Sequence, residues 1–185
     1  GSKVGHPADV TVEADYSQAS NYLVAARMGN PLTVTGLSTS SAQGDRIICD
    51  YARQLDGTGT VILSVRQCPD LVPALAVRAA LRAGETTHIV DAARLRLKES
   101  DRLEAVTAEL NKLGAQVEQT PDALIIHGVS RLHGGTCDSH GDHRIAMMLA
   151  VAATCANGVV EVTGAESVAK SYPNFWEDYE QLGGT

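Results

Sequence analysis

Aromatic side chains are scarce in this sequence: one Phe, one Trp and five Tyr among 185 residues. With so few rings, Ala, Val and Leu must fill the interior, which favours helices packed closely on sheets. At 44% hydrophobic residues the chain can still build one well-cored domain, or at most two small ones. Cations are outnumbered as well, 15 Lys and Arg against 22 Asp and Glu, for a formal net charge of −7. That balance argues against a general binder of nucleic acid or membrane surfaces. Any anionic ligand has to be held by a local cluster of Lys and Arg. No apolar run is long enough to span a bilayer, and nothing at the start reads as a signal peptide. Four cysteines, Cys49, Cys68, Cys137 and Cys155, form no CxxC pair and lie in or beside apolar stretches, where Cys acts as a small hydrophobe. A reduced, cytoplasmic setting is the expectation.

Several common sites are missing too. There is no Walker loop, no dinucleotide fingerprint after a strand and no nucleophile elbow. His133, Cys137, His140 and His143 have spacings that a zinc site could use. However, Gly134-Gly135-Thr136 and Ser139 read as a turn-rich loop, and no second thiol pair completes a pattern, so no metal is expected.

What is present is a unit written three times. Asp15-Tyr16-Ser17-Gln18-Ala19 opens an Ala-rich helical pattern that ends near Gly29, followed by the strand-like Leu32-Thr33-Val34-Thr35-Gly36. Pro69-Asp70 opens a second Ala-rich pattern running to Gly84, with Thr86 to Val90 as its strand. Asp142-His143-Arg144 opens a third running to Gly158, with Val159 to Gly164 as its strand. A second, amphipathic helix then comes in each copy, near Asp45 to Asp56, Ser100 to Leu113 and Pro173 to Leu182, each closed by a Gly. Val61 to Val65 and Leu124 to His127 supply further strands. The pattern predicts an α/β chain of three β-α-β-α-β-β units around a pseudo-threefold axis. The Asp at each first helix is explained at the least by N-capping, which is the reading adopted for Asp15.

Charge concentrates at helix entrances. Arg94-Leu95-Arg96-Leu97-Lys98-Glu99-Ser100-Asp101-Arg102 places four cations and two carboxylates before and at the start of one helix, with Ser100 a candidate cap. Gly141-Asp142-His143-Arg144 and Ala169-Lys170-Ser171-Tyr172-Pro173 open two others, with Pro173 suited to a first turn. Under threefold symmetry these entrances converge on one end of the domain and make a site for a ligand bearing a carboxylate and a phosphate.

Lys98-Glu99-Ser100-Asp101-Arg102, Asp142-His143-Arg144 with Ala146-Met147, Lys170-Ser171-Tyr172-Pro173, and Pro69-Asp70 with its Ala-rich helix resemble the signature blocks of the 5-enolpyruvylshikimate-3-phosphate (EPSP) synthase family, in order from about Val10 to the end. The resemblance implies one lobe of the enolpyruvyl transferase fold over residues 1–185, the C-terminal half of a two-lobed enzyme whose N-terminal lobe is absent. It implies a cofactor-free transfer of the enolpyruvyl group of phosphoenolpyruvate to the 5-hydroxyl of shikimate 3-phosphate, with release of phosphate. This is the shikimate pathway reaction that leads through chorismate to aromatic amino acids and is the target of glyphosate.

Carried over by position, Asp70 resembles the carboxylate that holds the shikimate hydroxyls and helps deprotonate the attacking one. Glu99 resembles the acid/base at the methylene carbon of phosphoenolpyruvate. Arg102 and Arg144 resemble the pair that grips its carboxylate, with Lys170 on the phosphate side and His143 as a neighbour. Lys98 resembles a shikimate 3-phosphate contact. Arg94 stands where many members have Asn, and an Arg there either meets that phosphate by charge or points away. The sister enzyme acting on UDP-N-acetylglucosamine is the rival within the fold, and an inert, anion-binding half-enzyme the rival outside catalysis. On the exposed face the cations are expected to be balanced by Asp70, Glu99, Asp101 and Asp142, and one sheet edge is expected to lack a partner.

Overall fold

A computed structural model describes residues 13–184, so Val10, where the resemblance begins, lies outside the described residues. Three helices form the centre: α1 (Tyr16–Arg27), α3 (Val72–Ala80) and α5 (His143–Ala153) each pack against the other two. Their sequences explain why. In α3 only Arg78 escapes full burial, and in α5 only Ala153 does. Small residues such as Ala19, Ala25, Ala76, Ala79, Ala146 and Ala150 line the buried surfaces and let the backbones approach. These are the first helices of the three repeats, so the threefold arrangement results from burying three Ala-rich faces on one another.

The middle repeat is complete. β1 (Val61–Ser64), α3, β2 (Thr86–Val90), α4 (Arg102–Lys112), β3 (Gln116–Gln119) and β4 (Leu124–His127) succeed one another in order, and the strands pair as β1-β2-β4-β3. β1 runs parallel to β2, with Val61 opposite Thr87, and the other pairs are antiparallel. β3 carries no strong sequence signal because only Val117 of its four residues is buried, as befits an edge strand.

The flanking repeats depart from the expectation. In the third, β5 (Leu132–Asp138) pairs parallel with β6 (Ala156–Thr163) on either side of α5, and α6 (Phe175–Gln181) closes the chain. Among the described residues β5 and β6 form a two-stranded sheet, each with the other as its ladder partner. Gly134-Gly135-Thr136, expected in a turn-rich loop, are strand, and only Ser139 falls outside β5. Its glycines serve the pairing: a Cβ on Gly134 would stand 2.5 Å from the Val159 carbonyl oxygen. In the first repeat, α2 (Ile48–Gln54) comes after a 3-10 turn at Gly44–Ile47, but the strand expected at Leu32 to Gly36 does not form. A strand needs a ladder, and no described segment pairs with it. Between Gln54 and Val61 the chain is also too short for the hairpin that β3 and β4 supply in the middle repeat.

Capping is partly as expected. Asp15 accepts the Ser17 amide (2.7 Å) and caps α1, and Asp142 accepts the Arg144 amide and caps α5. Asp101, not Ser100, caps α4, and Pro173 lies just before α6 rather than in its first turn. Asp70 sits in the 3-10 turn Pro69–Leu71 and makes no cap bond, so its carboxylate is available for other partners.

Two local devices fix loops. The scarce aromatics gather: Tyr22, Tyr172, Phe175, Trp176 and Tyr179 contact one another at ring centroids 5.0–6.4 Å apart, joining α6 and the Lys170 block to α1 and α5. The buried Arg82 guanidinium binds oxygen atoms only from carbonyls and a hydroxyl. Its Nε donates to Leu55 O (3.0 Å), and its terminal nitrogens donate to Gly57 O, Gly59 O, Thr86 O and Thr87 Oγ1. Arg82→Met should therefore strand several buried acceptors and lower stability by about 3 kcal/mol or more. A urea midpoint within error of the parent would refute that role.

Candidate functional site

The entrances of α3, α4 and α5 meet at one side chain. Arg102 is 1% exposed. Its Nε donates to Asp142 Oδ2 (2.7 Å), Nη1 to Asp70 Oδ1 (2.9 Å), and Nη2 to Glu99 Oε2 (2.5 Å) and Asp142 Oδ1 (3.2 Å). Asp142 is wholly buried and also accepts from Ser100 Oγ at 3.0 Å. A buried ion pair of this kind holds only when every charge has a partner, because each alone carries a large desolvation cost. The inner half of the guanidinium is thus locked by Asp142, whereas Asp70 and Glu99, which occupy its outer half, keep about a third of their side chains in solvent.

The remaining candidates surround this hub. Lys98 Nζ lies 3.1 Å from Asp70 Oδ1, and Arg144 Nη2 lies 3.9 Å from Asp70 Oδ2. Arg144 is buried, donates from Nη1 to Ser17 O (2.8 Å), and has no partner at Nε among the described residues. Lys170 is exposed and donates to the Gly141 carbonyl at 3.1 Å, one residue before Asp142. His143 is buried with Nδ1 unpartnered, 3.9 Å from Asp142 Oδ1. Asp70, Lys98, Glu99, Arg102, His143, Arg144 and Lys170 therefore come together on one face. Arg94 is exposed on the neighbouring 3-10 turn Ala93–Leu97, outside the hydrogen-bonded network.

This packing sets the electrostatics. Burial works to raise the Asp142 carboxyl, but the Arg102 hydrogen bonds and charge outweigh it and hold it below the usual carboxylate range. Asp70 is likewise held low, by Lys98, Arg144 and Arg102 against its own burial. Burial, then the Arg144 charge, pushes His143 below the ordinary histidine value. Asp101 is not part of this balance: it pairs with Arg96 at 2.7 Å. One contributor carries no sequence signal for this role: Asp45, half-buried against Ser17 Oγ near Asp70 and Arg144, has no motif around it.

The family profile described as EPSP synthase (3-phosphoshikimate 1-carboxyvinyltransferase) matches residues 1–179. The chain belongs to the EPSP synthase family. A 3-phosphoshikimate 1-carboxyvinyltransferase of Clostridium kluyveri is 45% identical over 199 residues, covering 100% of this chain and 46% of the relative. One from Clostridium acetobutylicum is 47% identical, covering 94% and 43%. A solved EPSP synthase from Acinetobacter baumannii superposes with a TM-score of 0.80 at 26% identity, over 94% of this chain and 47% of that one. The enolpyruvyl transferase NikO from Streptomyces tendae, at 20% identity and a TM-score of 0.68, shares the fold. This member of the EPSP synthase family spans about half the length of the curated relatives it matches. Its architecture is that of an enolpyruvyl transferase lobe, mixed α/β.

The other residues weighed from sequence also have places. All four cysteines are free thiols. Cys137 is buried on β5, and His140 binds Glu109 at 2.7 Å. Among the described residues no three His, Cys, Asp or Glu side chains form a metal-ligand group. None of the described helices is long and apolar enough to cross a membrane.

Removing the hub should be costly: Arg102→Met leaves Asp142 charged, buried and unpaired, at about 3–5 kcal/mol, whereas Arg94→Ala should stay within about 0.5 kcal/mol. Equal urea midpoints for the two variants would contradict the network. Acid should act on the same groups. Asp70 and Asp142 have folded values below their unfolded ones, so their stabilisation is complete above the unfolded carboxylate range, about pH 4, and is lost as pH falls through the folded values. His143, also depressed, adds a loss that begins as pH drops below its unfolded value of 6.5. A midpoint that holds constant down to about pH 3 would show these groups unshifted.

Proposed function

We propose that this chain is the C-terminal lobe of a cytoplasmic enzyme that transfers the enolpyruvyl group of phosphoenolpyruvate to the 5-hydroxyl of shikimate 3-phosphate. Residues 1–185 form that single lobe, and an N-terminal lobe completes the enzyme. Family membership supports the reaction, and coverage of about half of each relative supports the lobe. The observation that carries the site reading is the sharing of one guanidinium by distant blocks. Asp70 lies 32 residues from Arg102 in sequence and Asp142 lies 40.

The geometry suggests how the parts act. Asp142 anchors Arg102 from within, while the half-exposed Asp70 and Glu99 occupy the outer nitrogens that a substrate carboxylate would take. Phosphoenolpyruvate displaces them and lies between Arg102 and Arg144, whose planar forks suit a carboxylate. Asp70, released from Arg102, becomes a better base and takes the proton of the 5-hydroxyl as its oxygen bonds to the enol carbon. Glu99 protonates the methylene carbon, giving a methyl group on a tetrahedral intermediate. The phosphate C–O bond then breaks as Glu99 removes one methyl proton and the double bond reforms. Lys170 balances the leaving phosphate, and Lys98 with Arg94 faces the phosphate of shikimate 3-phosphate. His143, kept neutral by burial and by Arg144, borders phosphoenolpyruvate.

The purified chain alone should show no transfer, because closure by the other lobe supplies the remaining ligands and excludes water. Mixing with that lobe should restore phosphate release dependent on both substrates, with no turnover of UDP-N-acetylglucosamine. Release by the chain alone would overturn the half-enzyme reading, and no release from the folded mixture would overturn the reaction. In the mixture, Arg144→Ala should raise KM for phosphoenolpyruvate by about ten- to a hundredfold and that for shikimate 3-phosphate far less. Equal losses would make Arg144 a structural residue.

A further inference from the structure

Glu109 on α4 is 1% exposed, and the proposed chemistry gives its charge no task. Its carboxylate accepts from Lys112 Nζ (2.9 and 2.8 Å), the Asp138 amide (2.9 Å) and His140 Nε2 (2.7 Å). Lys112 belongs to the same helix, so that bond fixes nothing outside it. The other two partners come from the last residue of β5 and from the turn between β5 and α5. Burial works to raise Glu109, but these three donors outweigh it and keep the carboxylate ionised. The Cys137 thiol, 3.8 Å from the Glu109 carbonyl oxygen, and Asp138 complete the groups that face the pair.

The turn they hold is unusual. His140 (φ 54°) and Gly141 (φ 64°) are successive left-handed residues, a conformation that His adopts only at a cost. The Asp138 side chain accepts the His140 amide (2.7 Å), and Ser139 Oγ donates to Gly164 O (2.8 Å). The site itself begins at the end of this turn: Gly141 O receives Lys170, Asp142 receives Arg102, and α5 carries Arg144. Helix α4 thus grips this segment twice, through Arg102 at its start and through Glu109 about two turns later on the same face.

We propose that Glu109 and His140 are a positioning pair whose contact holds the 138–141 turn and so sets where Asp142, Arg144 and Lys170 stand. The inference rests on the reading of this face as the substrate site. It is tested first without substrate, by amide hydrogen exchange of this chain. Glu109→Gln keeps the shape and removes the charge, and His140→Asn keeps a left-handed preference and removes the ring. His140 is part-exposed, so its variant should fold even if the buried one does not. Each should speed exchange across residues 138–144 about tenfold, with β2 and β4 unchanged, and the double variant should add nothing to the faster single. Unchanged exchange in His140→Asn, or effects that multiply in the double variant, would overturn the pair. With the other lobe present, His140→Asn should raise KM for phosphoenolpyruvate about three- to tenfold while kcat stays within about twofold. A loosened turn with unchanged KM would overturn the positioning role. A wild-type mixture without turnover would instead overturn the proposed function, leaving the exchange result to decide the pair.

Discussion

Arg102 is a cation taken out of water, and the lobe is arranged around keeping it paired. Its carboxylate partners come from the 3-10 turn before α3, the loop before α4 and the cap of α5. None can move far without leaving a buried charge exposed to a low-dielectric interior. The same bonds therefore hold helices together and fix the relative positions of the site residues. This explains how a chain of net charge −7 keeps several cations on one face. Asp70, Glu99 and Asp142 neutralise them from inside the cluster, and Asp70 and Glu99 are the two partners nearest solvent.

Around the hub, the burial of α3 and α5 is nearly complete and depends on Ala at the contacts. The paucity of aromatics is thus a packing choice, since rings at these positions would push the helices apart. Five of the rings, Tyr22, Tyr172, Phe175, Trp176 and Tyr179, hold the short α6 and the Lys170 block against α1 and α5, while Tyr16 and Tyr51 lie in the main core. Tyr172 shows the coupling most directly. It is two residues from Lys170, bonds to Asp178 (2.7 Å) and packs edge-on to Phe175, so that placement of the cation depends on apolar contacts behind it.

The first and third repeats are less complete than the middle one among the described residues. Among the described residues only the middle copy shows every strand of the unit. The flanking copies keep the helices that build the central bundle, which is the part the site requires. The geometry of the cluster therefore follows from how α1, α3 and α5 pack on one another.

Much of this was legible from the chain alone. Ala spacing and closing glycines marked the helices, because burial of a small-residue face and left-handed helix ends leave local signatures. Charged blocks before α3, α4 and α5 marked the candidate site, because helix entrances and ionic residues are adjacent in sequence. Lys170, expected to open a helix, instead ends the 3-10 turn Ala165–Lys170. Other features have no local signature. Whether Leu32 to Gly36 forms a strand depends on a neighbour to pair with, and Gly134-Gly135 became strand because β6 approaches closely there. Sequence also assigned Arg102 to an incoming carboxylate, whereas its depth and its grip on Asp142 depend on three helices meeting. Glu109 and His140 lie 31 residues apart with no motif to join them. The sequence by itself determined which segments are helical and which charges open them. Only the tertiary structure decided which charges are buried together, because desolvation and pairing energies depend on distances that chain-local patterns do not contain.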